Sequence, residues 1–264
     1  MAKPKSKRTS REYLPNIGEL PHKPHFEVRT ASQSYSNIAA VLAGFAFAAV
    51  VLVVQTTPPV TSPNAGTYRD WATIAFLLAF AGCIVSAFVF ATVTGEEILS
   101  PRSHTIALFA GLGFSISSNL VIFGLGALVK IFLSPKIFDF VLVCFPLIMS
   151  LSPLFVAFSA FDPLIGFEKT PIKSKDIAKV FIPGFIPLLA VLIVRYSVGG
   201  FSVGIASSAF SYIMGAALLL IAISASSALI TSSFANVRFR INLLLSGVML
   251  SIHSMLIGFL ILML

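Results

Sequence analysis

Apolar residues in this chain run in seven nearly uninterrupted blocks, at residues 36–56, 71–93, 105–132, 137–161, 180–198, 205–230 and 241–264, together about 166 of its 264 positions. Each block is long enough, at about 1.5 Å per helical residue, to cross a hydrocarbon layer of about 30 Å. The pattern predicts an all-α integral membrane protein, a polytopic seven-helix transmembrane bundle over 36–264. Residues 1–35 carry Pro4, Pro15, Pro21 and Pro24 among Lys3, Lys5, Lys7, Arg8 and Arg11, with too few apolar positions to fold, and are expected to form a disordered basic tail. The longest other interruption, 162–179, is too short to build a core of its own. The first apolar run reads as a signal-anchor helix rather than a cleaved signal peptide.

Composition supports this reading. Hydrophobic residues make up 57% of the chain and charged ones 11%, whereas a soluble domain needs roughly a quarter of its residues charged. The net charge of +8 could suggest nucleic acid, but the positions of the charges argue for a membrane instead. With the amino terminus cytoplasmic, the inner segments hold 14 Lys and Arg, seven of them in the tail, against four outside: Arg69, Lys130, Lys136 and Arg195. Without the five tail residues farthest from the first span, nine still face four. This predicts an amino terminus inside and, after an odd number of spans, a carboxyl terminus outside, in a plasma membrane or a bacterial inner membrane. The lipid bilayer is the expected partner. The tail can also meet anionic headgroups, each basic residue near the surface being worth about 1 kcal/mol. An oligomer is compatible with the pattern, and no nucleic-acid partner is expected. Tyr35, Tyr68, Trp71 and Tyr196 fall at span ends and are expected to be interfacial anchors.

Chemistry has few places to reside. Asp139, Lys130, Asp162 and Arg195 lie near span ends, so a pump built on a mid-membrane carboxylate is not expected. Cys83 and Cys144 lie inside spans and read as packing residues. His22 and His25 are close in sequence but in a flexible segment, and no metal-ligand spacing or cofactor motif is present. His253 is the exception, halfway along the last span. At about 100° per residue, Asn242, Ser246 and His253 share one stripe, while Gly247, Ser251, Ser254 and Gly258 form another suited to close helix contact. The third span offers Gly111, Ser115, Ser118, Asn119 and Gly126 on one face, and the sixth Ser207, Ser208, Ser211, Gly215 and Ser226 on another. Both faces are expected to look inward, either as packing seams or as a polar path. Pro146 and Pro153 in the fourth span and Pro183 and Pro187 in the fifth are candidate hinges.

These positions give an expected function of transport or permeation of a small solute along a path lined by Ser115, Ser118, Asn119, Ser207, Ser208, Ser211, Asn242, Ser246 and His253. The path presents dipoles without fixed charge, which suits a neutral solute. The alternative is a membrane-embedded assembly or signalling component acting through the tail and the 162–179 loop. A third reading, an intramembrane serine hydrolase, rests on Gly200-Phe201-Ser202-Val203-Gly204, which spells the nucleophile-elbow string. That elbow needs a strand-to-helix turn, whereas this segment joins two membrane spans, so no enzyme is expected. Residues Ala39 to Gln55 resemble the pore-lining first helix of the Orai calcium channels around a small-Gly-Phe-Ala core. Leu52 stands where that family places its selectivity glutamate, so the resemblance implies no calcium selectivity. The seventh span lacks the lysine that a microbial rhodopsin needs for its retinal.

Overall fold

A computed structural model describes residues 27–56, 64–96, 101–133, 135–167, 174–233 and 243–264. Seven helices fill them: α1 (Val28–Gln55), α2 (Ala65–Thr94), α3 (Pro101–Phe132), α4 (Pro135–Phe167), α5 (Ser174–Ser197), α6 (Val203–Ser233) and α7 (Leu243–Met263). No strand occurs among the described residues. Five of the helices, α1, α2, α3, α5 and α6, are long and apolar enough to cross a membrane. The other two carry shorter apolar stretches, Phe140–Leu154 in α4 and Gly247–Met263 in α7. The seven helices coincide with the seven apolar blocks. Several ends reach further, as at the starts of α1, α2, α3 and α5, where caps or contacts outside the apolar zone prolong the helix, while α7 stays within its block.

At its start α1 shows how. It begins at Val28, two turns before the apolar run and inside the segment expected to be a disordered tail. Glu27 caps it, its carboxylate accepting from the Thr30 amide at 3.1 Å and from the Thr30 hydroxyl. These bonds hold the Glu27 carboxyl below the usual carboxylate range. In the first turn, Arg29 donates through Nε and Nη2 to the Thr94 carbonyl at 3.0 and 2.7 Å, placing a cation on the unsatisfied carboxyl end of α2. Val28 is buried, and Tyr35 stacks on Phe90 with centroids 5.5 Å apart. The rest of the tail, with His22 and His25, lies outside the described residues. The interruption at 162–179 is also mostly helical, α4 running to Phe167 and α5 starting at Ser174.

In the bundle α2 lies against α1 and α3, while α3 also meets α4, α6 and α7 and so occupies the centre. Consecutive helices run in opposite directions: Arg29 of α1 meets the end of α2, Arg69 of α2 bonds Val54 at the end of α1, and Lys130 of α3 lies 4.9 Å over the Tyr68 ring of α2. A buried aromatic stack of Trp71, Phe123 and Phe210 joins α2, α3 and α6. Trp71 is therefore a core residue rather than an interfacial anchor. Because α2 begins at Ala65, the indole sits more than a turn inside the helix and faces its neighbours. Tyr196 is exposed at the end of α5, as an anchor should be, and Tyr35, two turns into α1, is also exposed.

The exterior is as apolar as the interior. Phe45, Phe88 and Phe140 are 67%, 71% and 70% exposed, which is favourable against hydrocarbon and costly in water. α7 packs chiefly on α5, and its small-residue stripe makes the contact possible. A Cβ on Gly247 would stand 2.9 Å from the Lys179 carbonyl oxygen, and one on Gly258 2.8 Å from Val191 Cγ2. Gly199, at φ 97°, ends α5 in a conformation that side chains resist, and the turn delivers the Phe201 amide to the Leu262 carbonyl at 2.7 Å.

Candidate functional site

Three helices each place a polar side chain near their midpoints, and these side chains converge. On α3, Ser115 and Asn119 are four residues apart and so share a face. From α7 comes His253, 2% exposed, and from α4 comes Ser152. Ser115 Oγ lies 2.7 Å from Ser152 Oγ and 3.0 Å from His253 Nε2, and Ser152 Oγ is 3.3 Å from the same nitrogen. Asn119 Nδ2 donates to Ser152 Oγ and to the Ser115 carbonyl, both at 2.7 Å. The carbonyl contact fixes the amide orientation, because the atom facing a carbonyl must be the donor. The Ser115 hydroxyl proton goes to Ser152 Oγ, so a protonated Nε2 donates to Ser115 Oγ and an unprotonated Nε2 accepts from Ser152 Oγ; the tautomer sets which.

This node is uncharged and incompletely satisfied. Asn119 Oδ1, His253 Nδ1 and Ser254 Oγ are buried with no hydrogen-bond partner. Each such atom costs about 1–3 kcal/mol, so they call for a physical explanation. Two of these atoms, Asn119 Oδ1 and His253 Nδ1, belong to residues of the node, and Ser254 follows His253 on α7. Such dipoles can hydrogen-bond a water or a hydroxyl, and they lack the charge needed for a multivalent ion. Among the described residues no group of three or more His, Cys, Asp or Glu could hold a metal.

Next to the node lies a cavity of about 260 Å³ between α1, α3 and α4, with Phe90 of α2 on one side. Ser115, Ser118 and Ser152 close its deep end, while Val28, Ser32 and His104 line the end near the starts of α1 and α3. Most of the remaining wall is apolar, supplied by residues such as Leu108, Phe114 and Val156.

Of the sequence-selected residues, Ser115, Asn119 and His253 therefore meet, and Ser118 lines the cavity while donating to the Phe114 carbonyl at 2.8 Å. Ser207, Ser208 and Ser211 do not join them but are exposed on the outer face of α6. The buried face of α6 is the apolar row Ala206, Phe210, Ile213, Met214, Ala217 and Ile221, and the serines lie opposite it. Ser208 shows how a hydroxyl tolerates that position, donating to its own helix at the Ile205 carbonyl, 2.8 Å away. Asn242 lies outside the described residues, as does the Ser246 side chain. Pro146 and Pro153 are buried within α4, and Pro183 and Pro187 lie within α5, both helices continuing through them. Ser202 is exposed in the turn between α5 and α6, whereas His253 bonds Ser115 and Ser152 at mid-bundle.

Ser152 escaped the sequence reading. Its neighbour Ser150 is as polar and about 200° away around the helix, and nothing in the string shows which of the two faces inward. In the structure Ser150 returns its proton to the Leu147 carbonyl at 2.7 Å and Ser152 points to the node.

No protein-family model, curated protein or solved structure matches this chain.

Proposed function

We propose that this chain is a seven-span membrane protein, amino terminus inside, that moves a small uncharged solute across the bilayer by way of the Ser115, Ser152, Asn119 and His253 node. The observation that carries this reading is the buried polar cluster at the midpoints of three helices, whose Ser115 and Ser152 line a cavity and whose Asn119 Oδ1 and His253 Nδ1 have no partner. Polar groups at mid-membrane are costly to keep, and a binding role accounts for that cost. The route runs along α3, α4 and α7, without the α6 serines. Fixed charge is absent from the node, so solvation there comes from dipoles, which favours hydroxyl- and carbonyl-bearing solutes over ions.

Liposomes containing the purified protein test this directly. Uptake of small neutral solutes above the rate of empty liposomes, reduced several-fold by Asn119→Leu in a protein that still folds, is the expected result. Uptake no faster than through empty liposomes would turn attention to an assembly or signalling role.

A further inference from the structure

The shape of the cavity says more about its solute than the node does. His104 and Ser115 both line it and are eleven residues apart on α3, so the cavity runs about 16 Å along the helix axis. It is thus a slot from the level of the first turns of α1 and α3 down to mid-bundle, polar at the deep end and apolar along its length. Its volume, about 260 Å³, exceeds the ~150 Å³ apolar cavity that accepts one benzene and falls short of the roughly 300 Å³ at which drug-sized sites begin. A slim molecule of one chain fits these limits; a two-chain lipid does not.

The slot also has a side opening. α1 packs on α2 and α3, and α4 packs on α3, α5 and α7, but among the described residues no Cα of α1 lies within 8 Å of a Cα of α4. Both lie on α3 with the cavity between them, which leaves a gap between their backbones along that flank. Gly111 faces it, since a Cβ built there meets nothing within 4 Å.

From these observations we infer that the slot binds a neutral, single-chain, mostly apolar molecule ending in one hydroxyl or carbonyl group. The molecule reaches the slot sideways between α1 and α4, from the half of the bilayer that holds the amino end of α1. The polar end bonds Ser115 and Ser152 at the deep end, and the chain lies along Leu108, Phe114 and Val156. A carboxylate of the same length is rejected, because among the described residues no Lys or Arg lines the deep end to offset its burial. The inference rests on the reading of node and cavity as one solute site, and adds which solute it is and by which side it arrives.

The test uses a medium-chain alkanol bearing a photoactivatable diazirine, applied to the full chain in liposomes, with adducts mapped by mass spectrometry. Adducts on α1, α3 and α4 residues lining the slot are expected, competed by the plain alkanol and not by the alkanoate of equal length. Gly111→Leu projects into open space, so it should fold normally and abolish these adducts. Ser152→Ala should weaken competition about three- to tenfold, the worth of one hydrogen bond. Adducts spread over the exposed faces of the helices and indifferent to Gly111→Leu would overturn the inference. So would equal competition by the alkanoate, or slot labelling by a phospholipid with a diazirine in its acyl chain that the alkanol does not displace. Slot labelling without solute flux would sink the transport reading and leave this inference intact, whereas flux unaffected by Gly111→Leu would do the reverse.

Discussion

Serine means two different things in this molecule, and the partner of its hydroxyl decides which. Ser152 receives protons from Asn119 and Ser115 and lies next to His253, so three helices depend on one oxygen. Ser208 is exposed and bonds a carbonyl of its own turn. Ser152→Ala should therefore cost about 1 kcal/mol, near the upper part of the range for hydrogen bonds between membrane helices, and Ser208→Ala close to nothing. Unfolding in mixed micelles would compare the two. Equal losses would mean that the node contributes nothing particular to stability. The sequence made Ser208 a candidate and passed over Ser152, because type and spacing are all it offers, and neither reveals whether a hydroxyl is already satisfied within its own turn.

Helix existence was legible in the chain because each apolar block is long and unbroken, and all seven blocks are helical. Helix ends were less so, since they depend on groups brought together from afar: Arg29 reaches Thr94 across 65 positions of sequence. The Glu27 cap is local and makes a pH prediction. Its carboxyl is held below the ordinary range by the Thr30 bonds, so its contribution to the first turn of α1 is full above the unfolded carboxylate pKa and is lost as pH falls through the lower, folded value. Amide exchange at Thr30 should quicken over that acidic interval. In Glu27→Gln it should not change with pH beyond the intrinsic rate, and a wild-type profile matching that variant would discount the cap. The α5–α7 contact was also foreshadowed, by the Gly247 and Gly258 stripe. Gly247→Leu meets the α5 backbone and should cost about 1–3 kcal/mol, whereas Gly215→Ala meets nothing within 4 Å and should be harmless. Thermal melts of the two variants decide the matter, and similar melting temperatures would argue against this packing.

For the whole molecule, alternating helix directions put Thr56, after α1, and Gly95, after α2, at opposite ends of the bundle. In a background with Cys83→Ala and Cys144→Ala, an impermeant thiol reagent added to intact cells should modify Thr56→Cys at once and Gly95→Cys only after permeabilisation. The opposite pattern would invert the orientation argued from the basic residues. One packing relation bears on how such a molecule is made. α5 has its main contact in α7, and α6, which lies between them in chain order, packs instead on α3. During synthesis α5 must therefore wait in the bilayer, its Gly184 and Val191 surfaces facing lipid, until the last of the seven helices arrives to cover them. That same arrival delivers the imidazole to Ser115 and Ser152. A nascent chain thus lacks the assembled Ser115, Ser152 and His253 cluster until α7 is made, and any quality-control step that senses an unpaired α5 would also be sensing an unfinished cluster.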